Sequence, residues 1–143
     1  MKIWKKDIDL DVLNKTSENT LIEHLGIRYS EVTDSLLKAT MPVCAKTHQP
    51  LGMLHGGASV VLAETLGSVA ANFCVHDDSF CVGLDINANH IRAVRNGMVT
   101  GTAEPVHIGS KTQVWQINIH NDKHQLVCTS RLTVAVMKVK GSK

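Results

Sequence analysis

Between Gly57 and about Phe73 the apolar positions recur three and four apart, at Ala58, Val61, Leu62, Thr65, Leu66 and Val69, the spacing of one long helix. Valines and alanines lie on nearly every side of it, so it is expected to be enclosed all round. After this helix the period falls to two. In "CVGLDINANHIRAV" the apolar Val82, Leu84, Ile86 and Ala88 alternate with Gly83, Asp85, Asn87 and Asn89, which predicts a half-buried strand. Arg95-Asn96-Gly97 supplies the Asn-Gly of a tight hairpin turn into the next strand, "MVTGTAEPVHI". "TQVWQINIH" follows, its alternation selecting Val114 or Trp115 together with Ile117 and Ile119; Asn121 to His124 form a further turn, and "LVCTSRLTVAVMKV" closes the sheet. The tail "KVKGSK" is expected to fray.

Ahead of the helix, "LDVLNKT" has helical spacing at Leu10, Leu13 and Asn14 and predicts a short capping helix. "GIRYSEVTDSLLKATMPV" predicts a hairpin with strands near 27–32 and 36–43 around Thr33-Asp34-Ser35, ended by Pro42. Cys44 to His55, with Pro50 and Gly52, predicts an irregular loop. The order is that of an α+β chain in which a curved antiparallel sheet, its strands joined by short turns, wraps one long helix. With 143 residues and no internal repeat or linker, residues 1–143 are expected to form a single domain.

Composition narrows the function. Aromatic residues are 3% of the chain and the net charge is +2, which argues against a base-stacking platform or a nucleic-acid footprint; a few well-placed cations suffice for a phosphorylated ligand. The start "MKIWKKDIDLDVLNK" lacks the apolar run of a signal peptide, so a cytoplasmic location is expected. Gly57 to Val75 is long and mostly apolar, but Glu64, Thr65, Ser68 and Asn72 interrupt it and favour a core helix over a membrane span. Cys44, Cys74, Cys81 and Cys128 show no C-x-x-C pair and are expected to be small buried hydrophobes rather than disulfides. The eight histidines show no compact zinc spacing, so no metal is expected.

The chemistry starts from Glu64. Its helical neighbours are Val60, Val61, Gly67 and Ser68, so one hydroxyl is its only polar company. Desolvation there disfavours the charged form and tunes a carboxylate toward general-base work; a Glu at the helix surface, or one capping a strand's backbone, fits the same spacing. His55-Gly56-Gly57 stand where the helix begins. There, unpaired N–H groups and the positive end of the dipole could hold a carbonyl oxygen developing negative charge, the logic of an oxyanion hole. A tight loop-to-helix turn would use the same glycines.

The run Gln49-Pro50, Gly52, Leu54-His55-Gly56-Gly57, Ser59, Leu62-Ala63-Glu64-Thr65, Gly67-Ser68 resembles the signature of hotdog-fold acyl-CoA thioesterases of the 4-hydroxybenzoyl-CoA thioesterase branch. The resemblance extends to "VGLDINANHIRAV" and "VHIGSKTQVWQINI" and so covers most of the chain. Within that branch it is similar to the bacterial enzymes that hydrolyse 1,4-dihydroxy-2-naphthoyl-CoA in menaquinone synthesis and to those that proofread the enterobactin carrier protein. The resemblance implies a helical "sausage" in a sheet "bun", dimers joined edge to edge with active sites at the interface, and pairing of dimers into a homotetramer.

By the same resemblance Glu64 matches the catalytic carboxylate, as nucleophile or as base for water, and Gly56 the backbone donor to the thioester oxygen. Gln49 and His55 match polar residues that orient the thioester, contributed by the subunit opposite Glu64, and Ser68 the hydroxyl that places water or carboxylate. Val82 and Gly83, with His90, Ile91 and Arg92, match positions beside the bound CoA. His107, Ile108, Gly109, Ser110 and Lys111 match the loop holding its nucleotide end. Relatives commonly carry Arg where this chain has Ser110 followed by Lys111. His90 on an apolar strand parity also reads as a core histidine, and Arg92 as a solvated charge.

The expected reaction is hydrolysis of an aromatic or medium acyl-CoA thioester to the acid and CoA, with no cofactor, CoA being part of substrate and product. A non-catalytic acyl-CoA-binding module would not need Glu64 together with Gln49 and His55. A hotdog dehydratase would pair a His with its carboxylate in a pattern that His48 and His55, sixteen and nine residues before Glu64, do not reproduce. A carrier-protein thioester remains an alternative substrate.

Overall fold

The fold is taken from a computed structural model, which describes residues 1–141. Two short helices come first, α1 at Leu10–Thr16 and α2 at Leu21–His24. Each starts on a capping side chain: Asp9 accepts from the N–H groups of Asp11 and Val12, and Thr20 accepts from Ile22. The expected hairpin follows as β1, Arg28–Val32, and β2, Leu37–Pro42. Its turn is held by Thr33 Oγ1, which accepts from the N–H groups of Ser35 and Leu36. The long helix α3 spans Gly56–Phe73, one residue earlier than its spacing indicates, because His55 caps it. Strands β3, Ser79–His90, β4, Met98–Ile108, β5, Thr112–His120, and β6, Leu126–Lys138, complete the chain.

All six strands form one antiparallel sheet in the order β1-β2-β4-β5-β6-β3. This order corrects the expected Asn96-Gly97 hairpin. β3 pairs with β6, not with β4, and residues 91–97 cross to β4. Hydrogen bonds explain why: Ile91 and Arg92 N–H both donate to Val127 O, at 2.7 and 3.3 Å, and Leu54 N–H donates to Val94 O at 2.7 Å. The segment is stapled flat across the molecule instead of folding back on β3. Gly97 does take the left-handed turn conformation (φ +84°), but its carbonyl accepts from Val43 beside β2.

Leu62, Ala63, Leu66, Ala70 and Ala71 of α3 pack on the inward row of β5, Gln113, Trp115, Ile117 and Ile119. Of the alternatives Val114 and Trp115, it is Trp115 that turns inward. Close approach of helix and sheet depends on Gly67 and Gly101, where a Cβ would lie 2.6 Å from Leu132 Cδ2 and 2.7 Å from Leu66 Cδ1. The expectation of a helix enclosed all round fails, however. Glu64 is exposed, and Val60, Val61, Thr65 and Ser68 are only partly covered, because the sheet of one chain curves over one face and ends at β3.

β3 itself departs from simple alternation. Its register on β6 shifts between Gly83 and Asp85, with Leu84 as the extra residue. The shift splits the expected apolar row: Ile86 and Ala88 pack against the core, while Val82 and Leu84 are exposed, Leu84 at 62%. The N-terminal strap was not expected. Trp4 stacks on Trp115, ring centroids 6.3 Å apart, and its Nε1 donates to Thr33 O at 2.7 Å. Of the tail read as frayed, Lys138 lies in β6 and Val139 N–H donates to Asp78 O at 2.8 Å; Ser142 and Lys143 lie outside the described residues.

Cys74 and Cys128 are buried, Cys44 and Cys81 half-buried, and all four are free thiols. No helix among the described residues is long and apolar enough to cross a membrane.

Candidate active site

Residues 44–55 form an irregular approach to α3 whose shape is set by its own hydrogen bonds. Buried Thr47 donates Oγ1 to Pro42 O at 2.8 Å and accepts from Cys44 N–H, while Gln49 N–H donates to Met53 O and His55 N–H to Thr47 O, each at 2.8 Å. Gly52 turns the chain with φ +77°. Gln49 Oε1 accepts from Leu51 N–H, which leaves the Gln49 amide NH2 as its free donor. The side chain borders a cavity of about 310 Å³ together with Gly56, Ser59, His90 and Arg92.

At the start of α3, His55 Nδ1 accepts from Gly57 N–H at 2.7 Å. A neutral imidazole that accepts at Nδ1 carries its proton on Nε2, so the cap makes Nε2 an outward donor. His55 O takes Ala58 N–H at 3.0 Å and Ser59 N–H at 3.3 Å. Of the first four N–H groups of the helix, only that of Gly56 then has no acceptor among the described residues. The His90 ring lies against this residue: a Cβ on Gly56 would be 2.8 Å from His90 Nε2 and 3.0 Å from Cε1. A side chain here would have to displace the exposed His90 ring, and glycine leaves the ring free to lie against the start of the helix, at the positive end of its dipole.

Glu64 and Ser68, one turn apart, border a different cavity of about 280 Å³ with Gly83, Leu84, Asp85 and Ile86. The desolvation expected at Glu64 is not found within one chain, where the carboxylate lies on the uncovered face of α3. Neither Glu64 nor Ser68 has a side-chain hydrogen-bond or ion-pair partner among the described residues. Glu64 follows Gly56 by eight positions, which is about 12 Å along the helix. One carbonyl group cannot meet both, since a donor and a reacting carboxylate must each lie within roughly 3 Å of it.

The remaining expected residues divide in the same way. Gly109 N–H donates to Thr112 O at 2.9 Å, closing a tight β4–β5 turn. Ile108 pairs with Gln113, Gln113 with Val134, and Val134 with Gly83, so His107, Ile108, Gly109, Ser110 and Lys111 lie at the same end of the sheet as Val82 and Gly83 but three strands, about 14 Å, to the side, and none of the five borders the Glu64 cavity. His90, Ile91 and Arg92 lie at the other end with Gln49, His55 and Gly56. Along β3 the two ends, Gly83 and His90, are about 23 Å apart. Several lining residues were not among the expected site residues, Met53, Leu54, Ser59, Ala93 and Val127 in the first cavity and Leu84, Asp85 and Ile86 in the second. Of the polar ones, buried Ser59 falls one turn after Gly56, a signal present in the quoted run, whereas Asp85 lies directly after the strand bulge, which the alternation does not announce. Among the described residues no group of three or more His, Cys, Asp or Glu side chains is placed to hold a metal ion.

The thioesterase superfamily model matches residues 51–128, from just before the His55 cap to β6. The chain belongs to the thioesterase superfamily. Within it, the chain is 51% identical over 135 residues to 1,4-dihydroxy-2-naphthoyl-CoA hydrolase of Escherichia coli, covering 94% of this chain and 99% of that one. It is 52% identical over 135 residues to the proofreading thioesterase EntH of Cronobacter turicensis, covering 94% and 98%. The crystal structure of a thioesterase from Haemophilus influenzae superposes with a TM-score of 0.95 at 48% identity, covering 96% of each chain. The fold is the hotdog of this superfamily, and the protein is a thioester hydrolase.

Proposed function

We propose that the protein hydrolyses an aromatic or medium acyl-CoA thioester to the carboxylic acid and free CoA, at a site shared between two copies of the chain. The observation that carries this reading is the unpaired Gly56 N–H at the start of α3, with the only carboxylate of that helix about 12 Å further along it on an open edge. β3 is the last strand of the sheet, twelve residues long, with Phe80, Val82 and Leu84 exposed. Such an edge invites pairing. Two β3 strands related by a two-fold axis run antiparallel, which sets the Gly83 end of one opposite the His90 end of the other. Glu64 and Ser68 of one copy then face Gln49, His55 and Gly56 of its partner, and the cavities that are separate in one chain become one. Two such dimers form the proposed homotetramer.

In this site Gly56 N–H holds the thioester oxygen as it gains charge, while His55 Nε2–H and the Gln49 amide orient the thioester. Glu64 attacks the carbonyl carbon or takes a proton from the attacking water, with Ser68 placing the water or the carboxylate. On either route the carbon–sulfur bond breaks and the thiolate leaves as CoA with a proton that comes from water; where Glu64 is the nucleophile, water then cleaves the acyl–Glu64 anhydride to release the carboxylic acid and restore the carboxylate. No cofactor takes part. Val82, Gly83, His90, Ile91, Arg92 and residues 107–111 flank the CoA from the two subunits.

The acyl group is proposed to be 1,4-dihydroxy-2-naphthoyl, placing the chain in menaquinone synthesis, a reading supported by the 51% identity to the naphthoyl-CoA hydrolase. The 52% identity to a proofreading thioesterase supports a second reading, an aryl thioester on a carrier protein. Thiol release from dihydroxynaphthoyl-, hydroxybenzoyl-, phenylacetyl- and straight-chain CoA esters, set beside an aryl carrier-protein thioester, tests both. Binding without turnover of any of them would overturn the assignment.

A further inference from the structure

The Glu64 cavity has two walls, Glu64 and Ser68 on α3 and Gly83 to Ile86 on β3. Among the described residues, the side-chain hydrogen bonds that join these two elements fall at one place, the last turn of α3. Asn72 Oδ1 accepts Cys81 N–H at 2.8 Å, and Asn72 Nδ2 reaches Cys81 O at 3.4 Å. The same Nδ2 donates to Ser68 O at 2.9 Å. Beside these there is only the weaker contact of Cys81 Sγ with Ala71 O at 3.6 Å. An N–H can only donate and a carbonyl only accept, so the three partners fix which way the carboxamide points.

Asn72 follows Ser68 by four residues and Glu64 by eight, on the stripe of α3 that carries both. Cys81 precedes Gly83 by two residues, about 7 Å along β3. The clamp therefore stands at the mouth of the gap between the two walls. The other ties on this end of α3 run elsewhere. Lys5 N–H donates to Phe73 O at 2.7 Å and Lys6 Nζ to Asn72 O at 3.2 Å from the N-terminal strap, and Gln113 Nε2 donates to Ala71 O at 3.4 Å from β5. They hold the helix end without touching β3. Without the Asn72 carboxamide, the separation of α3 from β3 at the cavity is left to apolar packing, which has no preferred direction.

We infer that Asn72 is a positioning residue: it clamps the Ser68 turn of α3 to β3 and so holds Glu64 of the same copy in its place against the substrate carbonyl. It touches no substrate. The inference rests on the proposed shared site, and it adds a residue beyond the resembling run, which ends at Ser68. A small misplacement of a reacting carboxylate lowers turnover even where the substrate still binds.

The test uses two variants and the fastest of the four CoA esters named above. Asn72→Leu keeps the branching of the side chain without its hydrogen bonds. Asn72→Ser keeps a donor for Ser68 O, the carbonyl one turn back, but is too short to take both backbone groups of Cys81; it also stands in should the leucine variant not fold. Both are expected to lower kcat about tenfold while KM changes less than about threefold. Refolded mixtures then assign the effect to a copy. Glu64→Gln and Gln49→Ala chains form mixed dimers with one intact site, whose Glu64 comes from the Gln49→Ala chain. Either Asn72 variant added to that chain should lower the recovered activity about tenfold; added to the Glu64→Gln chain, it should leave the recovery unchanged. A loss of stability alone would act equally in both mixtures, since each mixed dimer holds one altered chain. An unchanged kcat, a rise in KM alone, full activity of Asn72→Ser, or equal recovery from the two mixtures overturns the inference. If the mixture without an Asn72 change recovers nothing, it is the shared site that fails, and kcat and KM of the single variants decide the role of Asn72.

Discussion

The two ends of α3 are built differently. At the first, His55, Gln49 and Thr47 spend their hydrogen bonds on shaping the backbone, and the His90 ring closes over Gly56. At Glu64 no side chain among the described residues partners the carboxylate, and the sheet stops at a bulged edge strand. The first half is preorganised within one chain, as an oxyanion donor must be to act without reorganisation. The second is left open, as the proposed site shared between two copies requires.

The sharpest break in that comparison is Glu64→Gln. Its side chain is exposed and unpartnered, so melting temperature should hold while kcat falls by about 10²- to 10⁴-fold, or roughly 3–5 kcal/mol of barrier. Near-normal turnover would remove Glu64 from the mechanism. Complementation asks whether the two ends belong to different copies. Inactive Glu64→Gln and Gln49→Ala proteins, refolded together in equal amounts, should recover about a quarter of wild-type activity, since half the dimers are mixed and each mixed dimer has one intact site. A site confined to one chain would recover nothing.

Gly56→Ala tests the closed end. The new Cβ would lie 2.8 Å from His90 Nε2 and displace this exposed ring, at a cost of about 1 kcal/mol or less. Kinetics and thermal melting should show the loss, and adding His90→Ala should restore the stability. His55→Ala removes the cap on Gly57 N–H and is expected to destabilise by about 1 kcal/mol. His55→Asn keeps a capping acceptor but loses the ring donor, so it should recover melting temperature without recovering kcat. The smallest effect concerns the thiols. Burial pushes Cys74 up to about 12, with the nearby Cys81 thiol adding to the rise and Lys5 opposing it, and burial also raises Cys81 and Cys128. Thiolate is scarce at neutral pH, so alkylation of these three in the folded protein should be slower than after unfolding, as peptide mass mapping would show.

Much of this was readable along the chain because it is local. The 3.6-residue spacing located α3 to within a residue, and alternation found the strands. The His55-Gly56-Gly57 run marked the helix start that proves to have a free N–H. Asn96-Gly97 misled because turn chemistry reports a bend but not which strand lies beyond it; hydrogen bonds to Val127 and Val94 sent residues 91–97 across the sheet. Val82 and Leu84 misled because a single inserted residue reverses facing, and nothing in the alternation announces a bulge. Glu64 looked stranded in a core because apolar residues surround its helix in sequence, while a sheet covers only the face it reaches.

The sequence by itself determined the elements other than α2, whose four residues are too few to show a period, together with the start of α3 and the chemical types brought to the site, since these depend on residues within a turn or two of one another. Tertiary structure alone decided that β3 would be an edge, that Gly56 and Glu64 would open into separate cavities, and that Asn72 would meet Cys81 between α3 and β3. These facts depend on strand order and register, which are settled by contacts between residues far apart in the chain.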